Sequence, residues 1–176
     1  MHANRLSRPE TLNDLLLYRM GGASRAVGSL VVRLCEGRYG ITRREWGLLG
    51  LLAVQDGQTL TELSERARQD KARCSRIVTS LVEKGLVRSE AKPSNRRQLG
   101  LWLTPAGRDL HDQLLPQVRA LNQELLQPLS EQEVATLDLL LDRLQGQASA
   151  MLEKYQEEWP RTQRHRGGSA RWRAVD

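Results

Sequence analysis

Residues 59–87, TLTELSERARQDKARCSRIVTSLVEKGLV, constrain the fold more than any other stretch of the chain. Thr59 and Glu62 have the spacing of a capping box, which predicts a short helix near Leu60–Arg68. Gln69-Asp70 interrupts it, and Asp70 is placed to cap a further helix over Lys71–Lys84 that Gly85 closes. Two short helices joined by a tight break form a helix-turn-helix pattern. A glycine is common in such turns and is absent here, so the turn geometry is inferred rather than signalled. On the second helix, Cys74, Ile77, Val78 and Leu81 fall on one apolar face. The other face offers Lys71, Ala72, Arg73, Ser75, Arg76, Thr79 and Ser80.

Immediately afterwards the periodicity changes. LVRSEA and QLGLWLT read as short strands joined by the polar segment KPSNRR, which predicts a β-hairpin. Upstream, Leu12 to Leu34 repeat apolar residues every three or four positions, giving a long amphipathic helix over 11–36. Gly21-Gly22 loosens that helix, and Gly37 and Gly40 end it. Thr42 and Glu45 cap a largely apolar helix over Arg43–Val54. Downstream, Thr104-Pro105 opens a helix toward Gln127 that Pro116 is positioned to bend, and Ser130 with Glu133 caps a last one. That last helix carries Val134, Leu137, Leu140, Leu141, Leu144, Ala148 and Leu152 along one stripe. From Pro160 the tail RTQRHRGGSARWRAVD is basic and irregular by composition.

The chain is therefore mainly α: a winged helix-turn-helix with a small β-hairpin wing and long N- and C-terminal helices. Its charge supports an anionic partner. The formal net charge is +6, and residues 59–108 hold eleven Lys/Arg against five Asp/Glu. Arginine binds guanine edges bidentately, and serine or threonine reaches phosphates or base edges, so the outward face suits a major groove. An ordinary solvated face has a similar composition, but here the positive charge is concentrated at the motif. No Gly-rich phosphate loop, metal-ligand cluster or nucleophile elbow is present, and His2, His111 and His165 are scattered. The residues thus point away from an enzyme and imply no cofactor. Two isolated cysteines, Cys35 and Cys74, form neither a disulfide framework nor a zinc site. With a polar start, MHANRLSRPE, and no long apolar run, the expected setting is the cytoplasm, away from any membrane.

The runs ITRREWGLLGLLA, DKARCSRIVTSLVEKGLV and KPSNRRQLGLWLTPAGRDL resemble the MarR family of transcriptional regulators over roughly residues 11–155. The resemblance implies a winged helix-turn-helix lobe over 41–104, a helical dimerisation region over 11–38 and 105–157, and a basic tail over 160–176. It implies double-stranded DNA with a pseudo-palindromic operator as partner, and a second copy of the chain as dimer mate. The implied DNA-binding residues are Thr59, Lys71, Arg73, Ser75, Arg76 and Thr79, with Asn95, Arg96 and Arg97 at the wing. The family usually has an aspartate where Asn95 stands, steadying an arginine that enters the minor groove. Which of Arg96 and Arg97 does so here stays open.

Members of the family commonly release DNA on binding a small aromatic carboxylate or phenol. Matching that cleft to this chain suggests Tyr18, Arg19, Arg25, Ser29, Tyr39, Trp46 and His111. Trp46 equally suits a core position, and His111 an interface one. A peroxide-sensing branch of the family places its reactive cysteine early in the first helix, where this chain has Leu15, Leu16 and Leu17. The expectation is a repressor released by such a ligand. A regulator without small-molecule control, or a winged helix serving a protein partner, is the alternative.

Overall fold

A computed structural model describes residues 4–93 and 95–158 of the chain. Six helices and one hairpin run in the order α1 (Leu16–Tyr39), α2 (Arg43–Val54), α3 (Leu60–Arg66), α4 (Lys71–Glu83), β1 (Val87–Lys92), β2 (Asn95–Leu103), α5 (Pro105–Leu126) and α6 (Glu131–Glu158). The chain divides after Leu125 into two units. The helix expected over 11–36 begins later and ends later than its periodicity indicates. Residues Leu12–Asp14 form a separate 3₁₀ turn, and Leu15 is extended. α1 then passes through Gly21, Gly22 and Gly37 and stops at Gly40, which adopts φ 65° and donates its N–H to the Cys35 carbonyl. A left-handed residue at that point suits glycine, which has no Cβ to clash.

The helix starts follow the capping logic of the sequence. Thr42 and Glu45, and Thr59 and Glu62, exchange side-chain and backbone hydrogen bonds in complete capping boxes. Asp70 accepts the Arg73 N–H at 2.8 Å and starts α4. The turn between α3 and α4 is made without glycine: Arg68 takes φ 50°, and the Gln69 N–H bonds the Ser64 carbonyl at 3.0 Å. α3 consequently stops at Arg66, two residues short of the expected Arg68.

One core closes the first unit. Leu48, Leu49 and Leu52 of α2 meet Leu63 of α3 and Cys74, Val78 and Leu81 of α4. Val87, Leu101 and Leu103 cover it from the hairpin, with Cys35, Ile41 and Leu114 completing it. Each fully buried leucine contributes roughly 1.5–3 kcal/mol. The hairpin gains a third edge where Gln58 bridges Leu101: the Gly57 N–H bonds the Leu101 carbonyl at 2.8 Å, and the Leu101 N–H bonds the Gln58 carbonyl at 2.9 Å. The wing is thus laced to the segment before α3, which fixes it to the helix-turn-helix.

At the hairpin's root, Thr104 Oγ1 donates to the Gly85 carbonyl at 2.7 Å and accepts the Gly107 N–H at 3.0 Å. Asp56 accepts the Leu103 N–H at 2.9 Å and pairs with Arg108. α5 packs so closely here that a Cβ on Gly107 would overlap the Leu86 carbonyl oxygen. α5 also continues through Pro116 as one helix.

In the second unit, Ser130 and Glu133 form the expected capping box, with the Ser130 N–H and hydroxyl donating to Glu133 at 2.9 and 2.8 Å. α6 carries Leu137, Leu139, Leu140, Leu141, Leu144, Met151 and Leu152, all exposed. The arginine-rich tail over 160–176 lies outside the described residues.

Two substitutions separate crowding from strain. Gly107→Ala forces a Cβ against rigid backbone and should destabilise by about 1–3 kcal/mol or more, as overpacking does. Arg68→Gly relieves a left-handed side chain and should leave stability unchanged or raise it by up to about 1 kcal/mol. Thermal melts of the two variants check both expectations.

Candidate nucleic-acid interface

The outward face of α4 follows from what its inward face must bury. Cys74, Val78 and Leu81 are committed to the core, so the helix turns Lys71, Ala72, Arg76 and Thr79 to solvent, with Arg73 and Ser75 half-buried. Arg76 is in no ion pair among the described residues. Arg73 is partly engaged, pairing with Asp70 at 3.7 Å. The Thr79 hydroxyl donates to the Ser75 carbonyl within its own helix at 3.1 Å. Thr59 spends its hydroxyl on the α3 capping box, where it donates to Glu62 at 2.9 Å. Ser80, grouped with the outward face from sequence, turns inward instead and donates to Glu45 at 2.6 Å.

Glu45, named from sequence only as a cap, also holds the site's helices together. The residue is 3% exposed, and its carboxylate is fully ligated. One oxygen accepts from Ser80; the other accepts from the Thr42 N–H at 2.6 Å and from Lys84 Nζ at 2.9 Å. Lys84 also donates to the Gly40 carbonyl at 3.0 Å. Burial alone would raise the Glu45 carboxyl, but the hydrogen bonds from Ser80, Thr42 and Lys84 outweigh it and hold the group below the ordinary glutamate range. Thus one carboxylate ties the start of α2 to the last turn of α4 and to the end of α1. Only its capping role is visible locally, because Ser80 and Lys84 lie 35 and 39 residues away.

The wing has a defined irregularity at its tip. From Val87↔Leu103 to Ala91↔Leu99 the strands pair in one register, and then Lys92 pairs with Asn95. Arg96, Arg97 and Gln98 therefore have no partners in β1 and form a bulge on β2. Asn95 Oδ1 accepts the Arg97 N–H at 3.1 Å, so the asparagine fastens the tip backbone as an Asx turn does. Asn95, Arg96 and Arg97 are all exposed, and neither arginine is in an ion pair among the described residues. Lys92 at the foot of the bulge pairs with Glu62 of α3 at 3.3 Å. Ser94 lies outside the described residues.

The residues suggested for a ligand are spread over several places rather than gathered in one cage. Trp46 stacks on His111 with ring centroids 5.4 Å apart and planes at 24°. Tyr18 lies 6.0 Å from the Arg25 guanidinium on the exposed side of α1. Tyr39 accepts from Gln117 and lines an open cleft of about 490 Å³ with Ile41, Lys84, Leu86, Asp109 and Leu110. Arg19 is exposed, and Ser29 back-bonds to the Ala26 carbonyl at 2.7 Å. Spacing along α1 separates these groups: Tyr18 and Tyr39 stand near opposite ends of a 24-residue helix. Both cysteines are fully buried, and burial raises both thiols. This environment disfavours the reactive thiolate.

The MarR family profile matches residues 39–98, which span the end of α1, the helix-turn-helix and the wing tip. Family profile, relatives and solved structures together support a winged helix-turn-helix transcriptional regulator of MarR type. A relative from Thauera aromatica, named as a regulatory protein for the hcr operon, is 31% identical over 62% of this chain and 66% of its own length. The chain thus spans just under two thirds of that relative. A crystal structure of a transcriptional regulator from Pseudomonas aeruginosa matches 76% of this chain and 99% of its own at 29% identity, with a TM-score of 0.64. BpsR of Bordetella bronchiseptica, whose DNA binding is regulated by 6-hydroxynicotinic acid, shares the fold at 19% identity. Its TM-score is 0.69, over 78% of this chain and 97% of its own. These MarR relatives are regulators, not enzymes. Among the described residues, no helix is long and apolar enough to cross a membrane.

The Glu45 node makes a pH-dependent prediction. A carboxyl held low in the folded state contributes its full stability above the unfolded value and loses it as pH falls through the folded one. Glu45→Gln should cost roughly 1–3 kcal/mol near neutrality. Between pH 7 and pH 3 the wild-type melting temperature should then fall more than that of the variant, as read by circular dichroism.

Proposed function

We propose that this chain is a cytoplasmic, homodimeric DNA-binding repressor that reads a pseudo-palindromic operator and leaves it when a small aromatic acid or phenol binds. The observation that carries the DNA reading is α4. A helix anchored by a buried face and by the Lys84–Glu45 ion pair turns Arg76, Lys71 and Thr79 outward beside a wing whose two arginines are in no ion pair among the described residues. Such a helix fits a major groove, and Arg76 on its exposed face is the base-reading candidate. Lys71, Arg73, Ser75 and Thr79 flank it as phosphate or base-edge contacts, and Thr59 contributes mainly through its cap. One of Arg96 and Arg97 reaches the adjacent minor groove, where arginine responds to groove width.

The dimer reading is supported by the apolar residues α6 leaves exposed, together with exposed Leu12, Leu15 and Leu17 near the N-terminus. Two-fold symmetry then sets half-sites about one helical turn apart. The effector reading is supported by the Trp46–His111 stack and by the small aromatic acid that regulates the Bordetella neighbour. Ligand acts by favouring a dimer whose recognition helices no longer match two successive grooves.

Arg76→Ala should lose about 1–3 kcal/mol on a duplex recovered by the wild-type protein from a randomised pool. Normal binding by that variant would overturn the assignment of α4 as the reading helix. For the effector, a thermal-shift series with salicylate, benzoate and hydroxylated relatives should raise the wild-type melting temperature and fail with His111→Ala. No stabilisation by any of them would overturn the effector reading and leave the DNA reading standing.

A further inference from the structure

Beside α4 lies an open cleft of about 540 Å³, walled by Val32 and Glu36 of α1, the first turn of α2, and Arg76, Ile77 and Ser80 of α4. Three arginines converge on it: Arg43 and Arg44, the first two residues of α2, and Arg76. All three are exposed, and none is in an ion pair among the described residues. Of the two acids lining the cleft, Glu45 is already neutralised by Lys84, which leaves Glu36. Arg43 lies close over α1, in the space that a side chain on Gly28 would occupy. The cleft is therefore a concentration of uncommitted guanidinium groups continuous with the outward face of α4.

We propose that Arg43 and Arg44 form a second phosphate clamp, gripping the operator backbone alongside the groove that α4 enters. Guanidinium forks match phosphate oxygens bidentately, and the two at the start of α2 can hold adjacent phosphates while Arg76 on α4 reaches inward. Contacts of this kind position the helix and carry no base information. This clamp rests on the DNA-binding reading above and adds to it the strand that flanks the reading helix.

The test is the salt dependence of binding to the pool-selected duplex. Each phosphate contact contributes about 0.9 to the log–log slope, so Arg43→Gln/Arg44→Gln, which removes two contacts from each protomer of a dimer, should flatten it by roughly 3.6. The loss should be the same on mismatched duplexes, leaving sequence preference intact. Arg43→Lys/Arg44→Lys should restore most of the slope, which a purely structural role would not require. An unchanged slope and affinity in the glutamine variant, with Arg76→Ala still impaired, would overturn the clamp alone. If the wild-type chain binds no duplex in a salt-dependent way, the DNA reading falls and the clamp with it.

Discussion

The buried carboxylate of Glu45 is the constraint on which the helix-turn-helix lobe depends. It is nearly inaccessible to solvent, yet it is ionised and satisfied by Ser80, Lys84 and the Thr42 backbone. Leaving such a group unpaired in the interior is expensive, so these donors must be in place whenever the lobe is folded. Ser80 and Lys84 both lie toward the C-terminal end of α4. The ion pair therefore sets the axial position of α4, while Cys74, Val78 and Leu81 set its rotation. Lys84 extends the same arrangement to the Gly40 carbonyl, where α1 ends.

Much of the fold was legible because its signals are local. Capping boxes at Thr42, Thr59 and Ser130 are written within four residues, and the structure forms all three. The hairpin and the apolar face of α4 were likewise readable from period alone. What escaped was nonlocal. Glu45 advertised a cap and delivered a cap, but nothing nearby indicated that its second oxygen would recruit Ser80 from an apparently solvent-facing stripe. The left-handed turn at Arg68 also has no sequence mark, since the usual glycine is replaced by a residue that tolerates φ 50° only under tertiary constraint.

The ligand candidates show the same limit more sharply. Residue type and family position suggested a cage, and two of its members do meet in the Trp46–His111 stack. The others are distributed along α1, whose length separates Tyr18 from Tyr39. Aromatic and cationic residues in one sequence neighbourhood of a long helix need not share a surface, because the helix carries them apart by 1.5 Å per residue. The DNA candidates stay closer together because most of them lie on one short helix and one hairpin tip.

The bulge at the wing tip has a consequence for how such a protein can change over time. Residues 96–98 stand outside the strand ladder, while the pairs from Val87↔Leu103 to Ala91↔Leu99 hold their register beneath them. In a regular hairpin, one added residue would turn every side chain above it to the opposite face. Here the irregularity absorbs the change before it reaches Leu101 and Leu103, which serve the core. The reach and charge of the tip can therefore drift by insertion or substitution while the lobe that carries it keeps its packing.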